Sequence, residues 1–183
     1  MAAFATAAEL ASWLQRDLDT ATATLALNVA SGQIRKHAGW SITQEVLTDQ
    51  VVDGTGRRSI LLPTLRLTAV ASVSEGGTLL VYDVDYTWTR EGRLVRNGRW
   101  RHEARIVTAS YTHGFAAGAP ELDDVKGVCL DVAGSVYDNP TALRSYTVGA
   151  VSETYAGGGV DLGAGLTDAH RKALAPYRLP VLA

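Results

Sequence analysis

Side chains that could carry out acid–base, nucleophilic or metal chemistry are few and widely spaced in this sequence. Its four histidines include no pair at the i, i+4 spacing of a helical metal site. They are His37, His102, His113 and His170, and we interpret them as surface or turn residues. The single cysteine, Cys129, lies among apolar residues at helical spacing. That position favours an inert buried thiol over a nucleophile, unless a histidine approaches it in the fold.

Two further patterns resemble catalytic or phosphate-binding motifs. Asp83 and Asp85 could serve as an acid–base pair, yet a solvated strand face commonly shows the same alternation. The glycines of GGGVDLGAG (157–165) are followed by no Gly-Lys-Ser/Thr, so a flexible linker is favoured over a phosphate loop. Spacing assigns no set of nucleophile, base and orienting residue. We therefore predict a protein that is not an enzyme and that needs no cofactor or metal.

Aromatic residues are concentrated between positions 82 and 111. They could form a stacking platform for a sugar or single-stranded nucleic acid, although aromatic residues in strands mostly pack cores. The residues concerned are Tyr82, Tyr86, Trp88, Trp100 and Tyr111. A small soluble ligand- or carbohydrate-binding β module is therefore kept as the alternative function.

Composition sets outer limits on the class of protein. The chain has 183 residues, 46% of them hydrophobic, which suits one globular domain with an appendage. A formal net charge of -2 does not favour nucleic acid as the main partner. One cysteine excludes an internal disulfide. The first residues lack the pattern of a signal peptide and no apolar run suits a membrane span, so we expect a soluble protein made in the cytoplasm.

Two amphipathic helices are predicted at the start of the chain. The first lies within TAAELASWLQRDLDT, with apolar residues at helical spacing at Leu10, Trp13, Leu14 and Leu18. The second lies within ATATLALNVASGQIRKHAG, where Asp19 or Thr20 supplies the cap and Gly39 the stop. Its predicted apolar contacts are Leu25, Leu27, Val29 and Ile34.

From 42 to 111 the pattern changes to period two, which predicts a sheet of five or more short antiparallel strands. YDVDYTW (82–88) is predicted to be a half-buried strand, because apolar and aromatic residues alternate with Asp83, Asp85 and Thr87. Asn97-Gly98 is predicted to be a two-residue hairpin turn, and DGTGRR and SEGG are further turns. Pro63 is predicted to separate two strands or to lie on an edge.

A third helix is predicted between Pro120, which suits the first helical turn, and Asn139-Pro140, which stops it. Its apolar stripe should pack on the opening helices, and it comprises Leu122, Val125, Cys129, Val132 and Val136. The predicted fold class is therefore α+β: a small helical bundle with an antiparallel β-sheet insertion (about 42–113) between helices two and three. An extended carboxy-terminal arm follows.

This arm begins with SYTVGAVSETYAGGG (145–159), which has the pattern of exposed strand. An unpaired strand is a template for another chain, so its partner is expected on another subunit. The glycine-rich linker leads to a short helix capped by Thr167 and ended by Pro176. We accordingly predict a compact domain over 1–144 and an arm over 145–183.

The order of these segments resembles the head–tail connector (adaptor, or head completion) proteins of long-tailed bacteriophages. The resemblance covers about 8–156 and rests on four segments in sequence. They are LPTLRLTAVASV, IVTASYTHGF, APELDDVKGVCLDVAGSVYDNP and SYTVGAVSETYA. It implies a non-enzymatic virion protein, made in the host bacterial cytoplasm and assembled as a homo-oligomeric ring of twelve subunits. Such a ring docks on the portal protein, receives the next neck protein on its opposite face, and lets DNA pass without sequence-specific binding.

The resemblance also suggests how the arm binds its partners. The strand would add to a neighbouring sheet, with its side chains fixing the register. The residues that we predict for this contact are Tyr146, Val148, Val151 and Tyr155. Beyond the glycines, a short segment that orders only on contact would reach a neighbour or the portal through Arg171, Lys172, Tyr177 and Arg178. The alternative is an arm that folds back on its own bundle.

Overall fold

The computed structural model describes residues 2–139 and 166–180, together with the backbone of two strands, Ser145–Val148 and Val151–Thr154. The chain divides into two compact units. One is formed by Met1–Ala38 and Pro120–Arg178, and the other by Gly39–Ala119 and Leu179–Ala183. We refer to them as the helical unit and the sheet unit.

The helical unit contains α1 (Ala7–Leu14), α2 (Thr20–Ala38), α3 (Asp123–Asp138) and α4 (Asp168–Ala173). A capping box of Thr6 and Glu9 starts α1. The Asp19 carboxylate accepts the Thr22 backbone N–H at 2.8 Å and so caps α2, as predicted. Gly39, at φ 81°, ends that helix. None of the helices within the described residues is long and apolar enough to cross a membrane.

The core of the helical unit lies between α2 and α3. Val125, Cys129 and Val132 are buried on α3 as predicted, whereas Leu122 and Val136, at the ends of the predicted stripe, are half-buried. On α2 the buried face is mostly alanine, so the helices can approach closely; it comprises Ala23, Ala26, Leu27, Ala30 and Ile34. Leu25 and Val29 are exposed, contrary to prediction, because they project from the side of α2 opposite this alanine face.

The sheet unit inserts seven strands between α2 and α3, which confirms the predicted α+β order. The strands are β1 (Glu45–Val52), β2 (Ser59–Leu61), β3 (Leu67–Glu75), β4 (Thr78–Leu79), β5 (Tyr86–Trp88), β6 (Arg93–Arg96) and β7 (Val107–His113). They form two antiparallel sheets, ordered β1-β7-β3-β4 and β2-β6-β5. A single sheet was expected. The long strand β7 alternates buried and partly buried residues, because one face of its sheet covers the core.

The turns of the sheet unit agree with the sequence predictions at two of three positions. Gly76 and Gly77, at φ 57° and 80°, join β3 to β4 as the SEGG pattern predicts. Pro63 lies between β2 and β3, also as predicted. The hairpin predicted at Asn97-Gly98 is wrong, because neither residue has a positive φ. The β5–β6 hairpin instead closes over 89–92, where the Gly92 N–H donates to the Thr89 carbonyl at 3.1 Å.

The strand predicted over 82–88 is confined to its last three residues. Upstream of Tyr86 the chain forms a tight turn, in which Asp83 has a left-handed φ of 64°. The Asp85 carboxylate accepts the Val81 N–H at 2.9 Å, and the Asp85 N–H donates to the Val81 carbonyl at 2.8 Å. Asp83 and Asp85 are therefore turn-forming residues, and the structure does not place them side by side on a strand face.

The aromatic residues of the sheet unit mostly fill its core. Trp100, Tyr86 and Tyr111 are buried in one apolar cluster, against which Trp88 is half-buried. His113 is buried beside Tyr111, with ring centroids 5.6 Å apart, so its assignment as a surface or turn residue is wrong. Only Tyr82 of the predicted platform is largely exposed. The platform therefore does not form as one surface.

Candidate interaction site

The strand-like segment of the arm forms β8 (Ser145–Val148) and β9 (Val151–Thr154), which pair with each other in an antiparallel hairpin. The register sets Tyr146 opposite Glu153 and Val148 opposite Val151. No third strand joins this hairpin within the described residues. Tyr155, the fourth residue predicted for partner contact, lies outside the described residues. The hairpin thus supplies its own first pairing, and its outer edges offer main-chain groups for further pairing.

The short helix α4 is fixed to α3 at its amino-terminal end. The Thr167 hydroxyl accepts the His170 N–H, and the Thr167 N–H donates to the His170 ring in return, which confirms the predicted cap. His170 Nε2 lies 2.8 Å from Asp131 Oδ2 on α3. This one side chain therefore both closes the cap and links the two helices.

After α4, the turn Ala175–Tyr177 packs back onto the helical unit. Leu174 and Tyr177 are buried, and the Tyr177 hydroxyl donates to the Glu121 carbonyl. Burial raises the pKa of Tyr177, and the nearby charges of Asp124 and Glu121 raise it further. Tyr177 therefore makes an intramolecular contact, and its partner-binding role stays a prediction. The segment is folded on the helical unit without a partner, so the expectation that it orders only on contact is corrected.

The three basic residues predicted in the same segment are exposed: Arg171, Lys172 and Arg178. Arg178 and Arg171 lie close enough to the last turn of α2 to affect His37. Burial lowers the pKa of His37, and the two arginine charges lower it further. The structure thus brings Arg171 and Arg178 near His37, and we call the two arginines the basic cluster.

Electrostatics determines what the basic cluster can bind. The nearest carboxylate on α4 is Asp168, with an oxygen 3.9 Å from an Arg171 guanidinium nitrogen. Both side chains are exposed, so this pair contributes little to stability and leaves the arginine available to a partner. Sequence reasoning identified the two arginines but missed His37, whose place beside them depends on how α4 packs. An acidic protein surface is complementary to such a cluster.

The single cysteine is part of the core of the helical unit. Cys129 is buried with its sulfur 3.5 Å from the Ser31 hydroxyl, and burial raises the pKa of its thiol. It is a structural residue, as predicted. Among the described residues no group of three or more His, Cys, Asp or Glu side chains is placed to hold a metal ion.

The fold of this chain is similar to that of solved chains from the necks of phage-like particles. The chain is similar to a chain of the neck of the native gene transfer agent (GTA) particle computed with C12 symmetry. The TM-score is 0.60 at 16% identity, covering 96% of this chain and 89% of that one.

Two further solved chains show the same likeness. The neck of the empty GTA particle computed with C6 symmetry gives a TM-score of 0.56, and the virion of the native particle gives 0.54. Both are 16% identical, and both matches cover 96% of this chain and 90% of the other. No family model and no curated protein matches the sequence. The resemblance to head–tail connector proteins is therefore confirmed at the level of the fold.

Proposed function

We propose that this chain is a structural virion protein of a tailed phage or phage-like particle, a head-to-tail adaptor. It forms a ring that docks on the portal, links the DNA-filled head to the neck and tail, and leaves a passage for DNA. The observation that carries the proposal is the likeness to neck chains over 96% of the sequence. The protein would be made in the host bacterial cytoplasm and retained at the head–tail interface.

A ring of twelve copies is the assembly that we propose, since the similar neck was computed with C12 symmetry. Rings close through head-to-tail interfaces, in which each subunit presents two different surfaces. The lumen would carry DNA past many copies of the chain without sequence-specific contacts. The formal net charge of -2 agrees with a channel that does not hold DNA tightly.

The carboxy-terminal arm is the part of the chain that we propose docks on the portal. The β8–β9 hairpin would add an edge strand to a portal sheet through the segment carrying Tyr146, Val148, Val151 and Tyr155. The basic cluster and Lys172 would meet acidic portal side chains. Because α4 is already fixed on α3 by His170, these charges are preorganised and lose little conformational entropy on docking.

The ligand-binding alternative receives no support from the aromatic residues. A stacking platform needs exposed rings, whereas Trp100, Tyr86 and Tyr111 fill the core of the sheet unit. These rings stabilise the sheets instead. We therefore propose one function only.

Negative-stain microscopy of the purified chain, alone and mixed with a candidate portal, tests the proposal. Rings of one fixed size, stacked coaxially on portal rings, are expected. Val148→Pro should abolish stacking without unfolding the helical unit, because it removes a main-chain donor from β8 and leaves the α2–α3 core untouched. A Thr87→Pro variant, altered in β5, is the matched control for a proline in a short strand and should still stack if it folds. A chain that stays monomeric with every candidate portal would refute the adaptor function.

A further inference from the structure

The sheet unit displays an apolar surface that its own fold does not cover. Four large apolar side chains lie within six residues, each between 52% and 68% exposed: Leu79, Val81, Tyr82 and Val84. Single exposed apolar residues are common, but a contiguous group of this kind marks an interaction surface. We call Val81, Tyr82 and Val84 the apolar knob. Leu79 flanks it on β4.

The apolar knob is held in place by hydrogen bonds. The Asn97 side-chain amide donates to the Val84 carbonyl at 3.0 Å, and the Asn97 N–H donates to the Asp85 carbonyl at 2.8 Å. Together with the Asp85 cap of Val81, these bonds fix both ends of the turn. Asp83 adopts its left-handed φ in the middle, a conformation that costs free energy for a residue other than glycine. The exposure of these side chains is therefore a property of an ordered turn.

A second group of exposed apolar residues lies on β1, at the edge of the four-stranded sheet opposite β4. Val46 and Val51 on β1 are 68% and 47% exposed, and we call them the valine edge. Their partners on β7 are Thr112 and Thr108, so both valines lie on the sheet face away from the core. An incoming side chain would meet small neighbours there.

The backbone of β1 determines how this edge can be used. A bulge between Leu47 and Gln50 interrupts the register, and Asp49 in it has a φ of 51°. Its N–H donates to the Ser110 hydroxyl at 3.0 Å, which fixes the bulge. A bulged edge is a poor template for continuous strand pairing. Contact through side chains is therefore favoured over extension of the sheet.

We propose that the apolar knob of one copy packs on the valine edge of the next copy, forming the head-to-tail interface of the ring; this rests on the function proposed above. Leu79, which flanks the knob, lies on β4, and the order β1-β7-β3-β4 places β4 and β1 at opposite edges of one sheet, three strand spacings or about 14 Å apart. A heterologous interface requires two different surfaces that face away from each other on one rigid body. The sheet unit provides such a pair, because the knob follows β4 at one edge of this sheet and the valine edge lies on β1 at the other.

The charges near both surfaces predict how association of the subunits depends on salt concentration. Asp83 in the turn and Asp49 in the bulge are exposed acidic residues. Burial of apolar side chains must therefore drive the contact against a modest like-charge repulsion. Association should strengthen as sodium chloride is raised, because salt screens the carboxylates and does not weaken apolar burial. A contact based on ion pairs would weaken instead.

Disulfide trapping detects the interface even where association is weak. In a Cys129→Ala background, a chain carrying both Val84→Cys and Val46→Cys should give a ladder of covalent oligomers on mild oxidation. Each single-cysteine chain should give none. Pairing Val46→Cys with Leu25→Cys, another exposed aliphatic position, is the matched control and should also give none. No ladder from the double variant, or dimers from Val84→Cys alone, would overturn the proposal.

A mixing experiment determines the direction of the contact. Val84→Lys and Val46→Lys each remove one surface at an exposed position, so both chains should keep the parent's unfolding curve while forming no ring. Mixed, they should yield a one-to-one dimer and nothing larger, because only one intact interface remains. Rings that form in either variant would overturn the interface while leaving the adaptor function in place. A parent that forms no rings, together with a double-cysteine chain that gives no ladder, would refute both.

Discussion

The burial of the tryptophans predicts a graded stability series from one kind of substitution. Trp100 is 1% exposed in the core of the sheet unit, Trp88 is half-buried against that core, and Trp13 on α1 is 54% exposed. Alanine replaces the same side chain in each case, so differences in the free energy of unfolding report the environment. We expect the loss to fall in the order Trp100, Trp88, Trp13.

The size of each loss follows from the contacts. Truncating a fully buried tryptophan costs about 4 kcal/mol through lost transfer free energy and the cavity left behind. At Trp100 the loss should be larger by about 0.5–1 kcal/mol, because the Arg96 guanidinium lies 5.3 Å from the ring centroid. Half burial scales the cost at Trp88 to about 2 kcal/mol. Trp13→Ala should cost less than about 1 kcal/mol.

Urea unfolding followed by far-ultraviolet circular dichroism measures the series, since this signal does not depend on the tryptophans that are removed. Equal m-values among the variants are required for the comparison, and separate transitions of the two units would be fitted individually. A Trp88→Ala loss that matches that of Trp100→Ala would contradict the burial described here. So would a Trp100→Ala loss below about 1 kcal/mol.

Three further predictions concern buried groups. Val132→Asp places an unpaired charge in the α2–α3 core and should cost several kcal/mol in urea, whereas Cys129→Ala should leave ring assembly intact; parent-like stability of the aspartate variant would contradict the helix packing. Burial lowers the pKa of His113 below its ordinary 6.5, so the folded state binds the proton less well than the unfolded state, and stability should fall as pH drops through 6.5. Melting temperatures between pH 7.5 and 5 test this, and His113→Asn should reduce the fall more than His37→Asn does; equal pH dependence in the parent and His113→Asn would exclude His113 as the cause.

The helices were predictable because their signals are local. Asp19, Gly39 and Thr167 act on backbone groups within a few residues, and each takes the predicted position. The stripe through Val125 and Val132 repeats at the helical period and is buried as expected. Which face of α2 is buried was less predictable, because alanine carries too weak a hydrophobic signal to outweigh Leu25. The close packing of α2 on α3 determines which face of α2 is buried.

The carboxy-terminal segment shows the limit of the same reasoning. Arg171 and Arg178 were identified as exposed basic residues, and they are exposed. Tyr177 carries no sequence signal that distinguishes a partner contact from an internal one, and its hydroxyl reaches Glu121, which lies 56 residues away in the sequence. Contacts at such separation depend on tertiary packing. The sequence therefore indicated the chemistry of the segment but not its location.

The misassigned strand at 82–88 has a physical cause that bears on the proposed interface. Alternating apolar residues normally indicate one buried sheet face, yet Tyr82 and Val84 are exposed because Asn97 and Asp85 hold the backbone in a turn. Local pattern and tertiary structure thus conflict at this point, and natural sequences keep such conflicts mainly where function requires them. Exposed apolar side chains of this kind stabilise the protein only when a partner covers them, because burial removes their apolar surface from water. Tyr82 and Val84 were predicted to lie in a strand but lie in a turn. Their burial on ring closure would offset the free-energy cost of forming that turn.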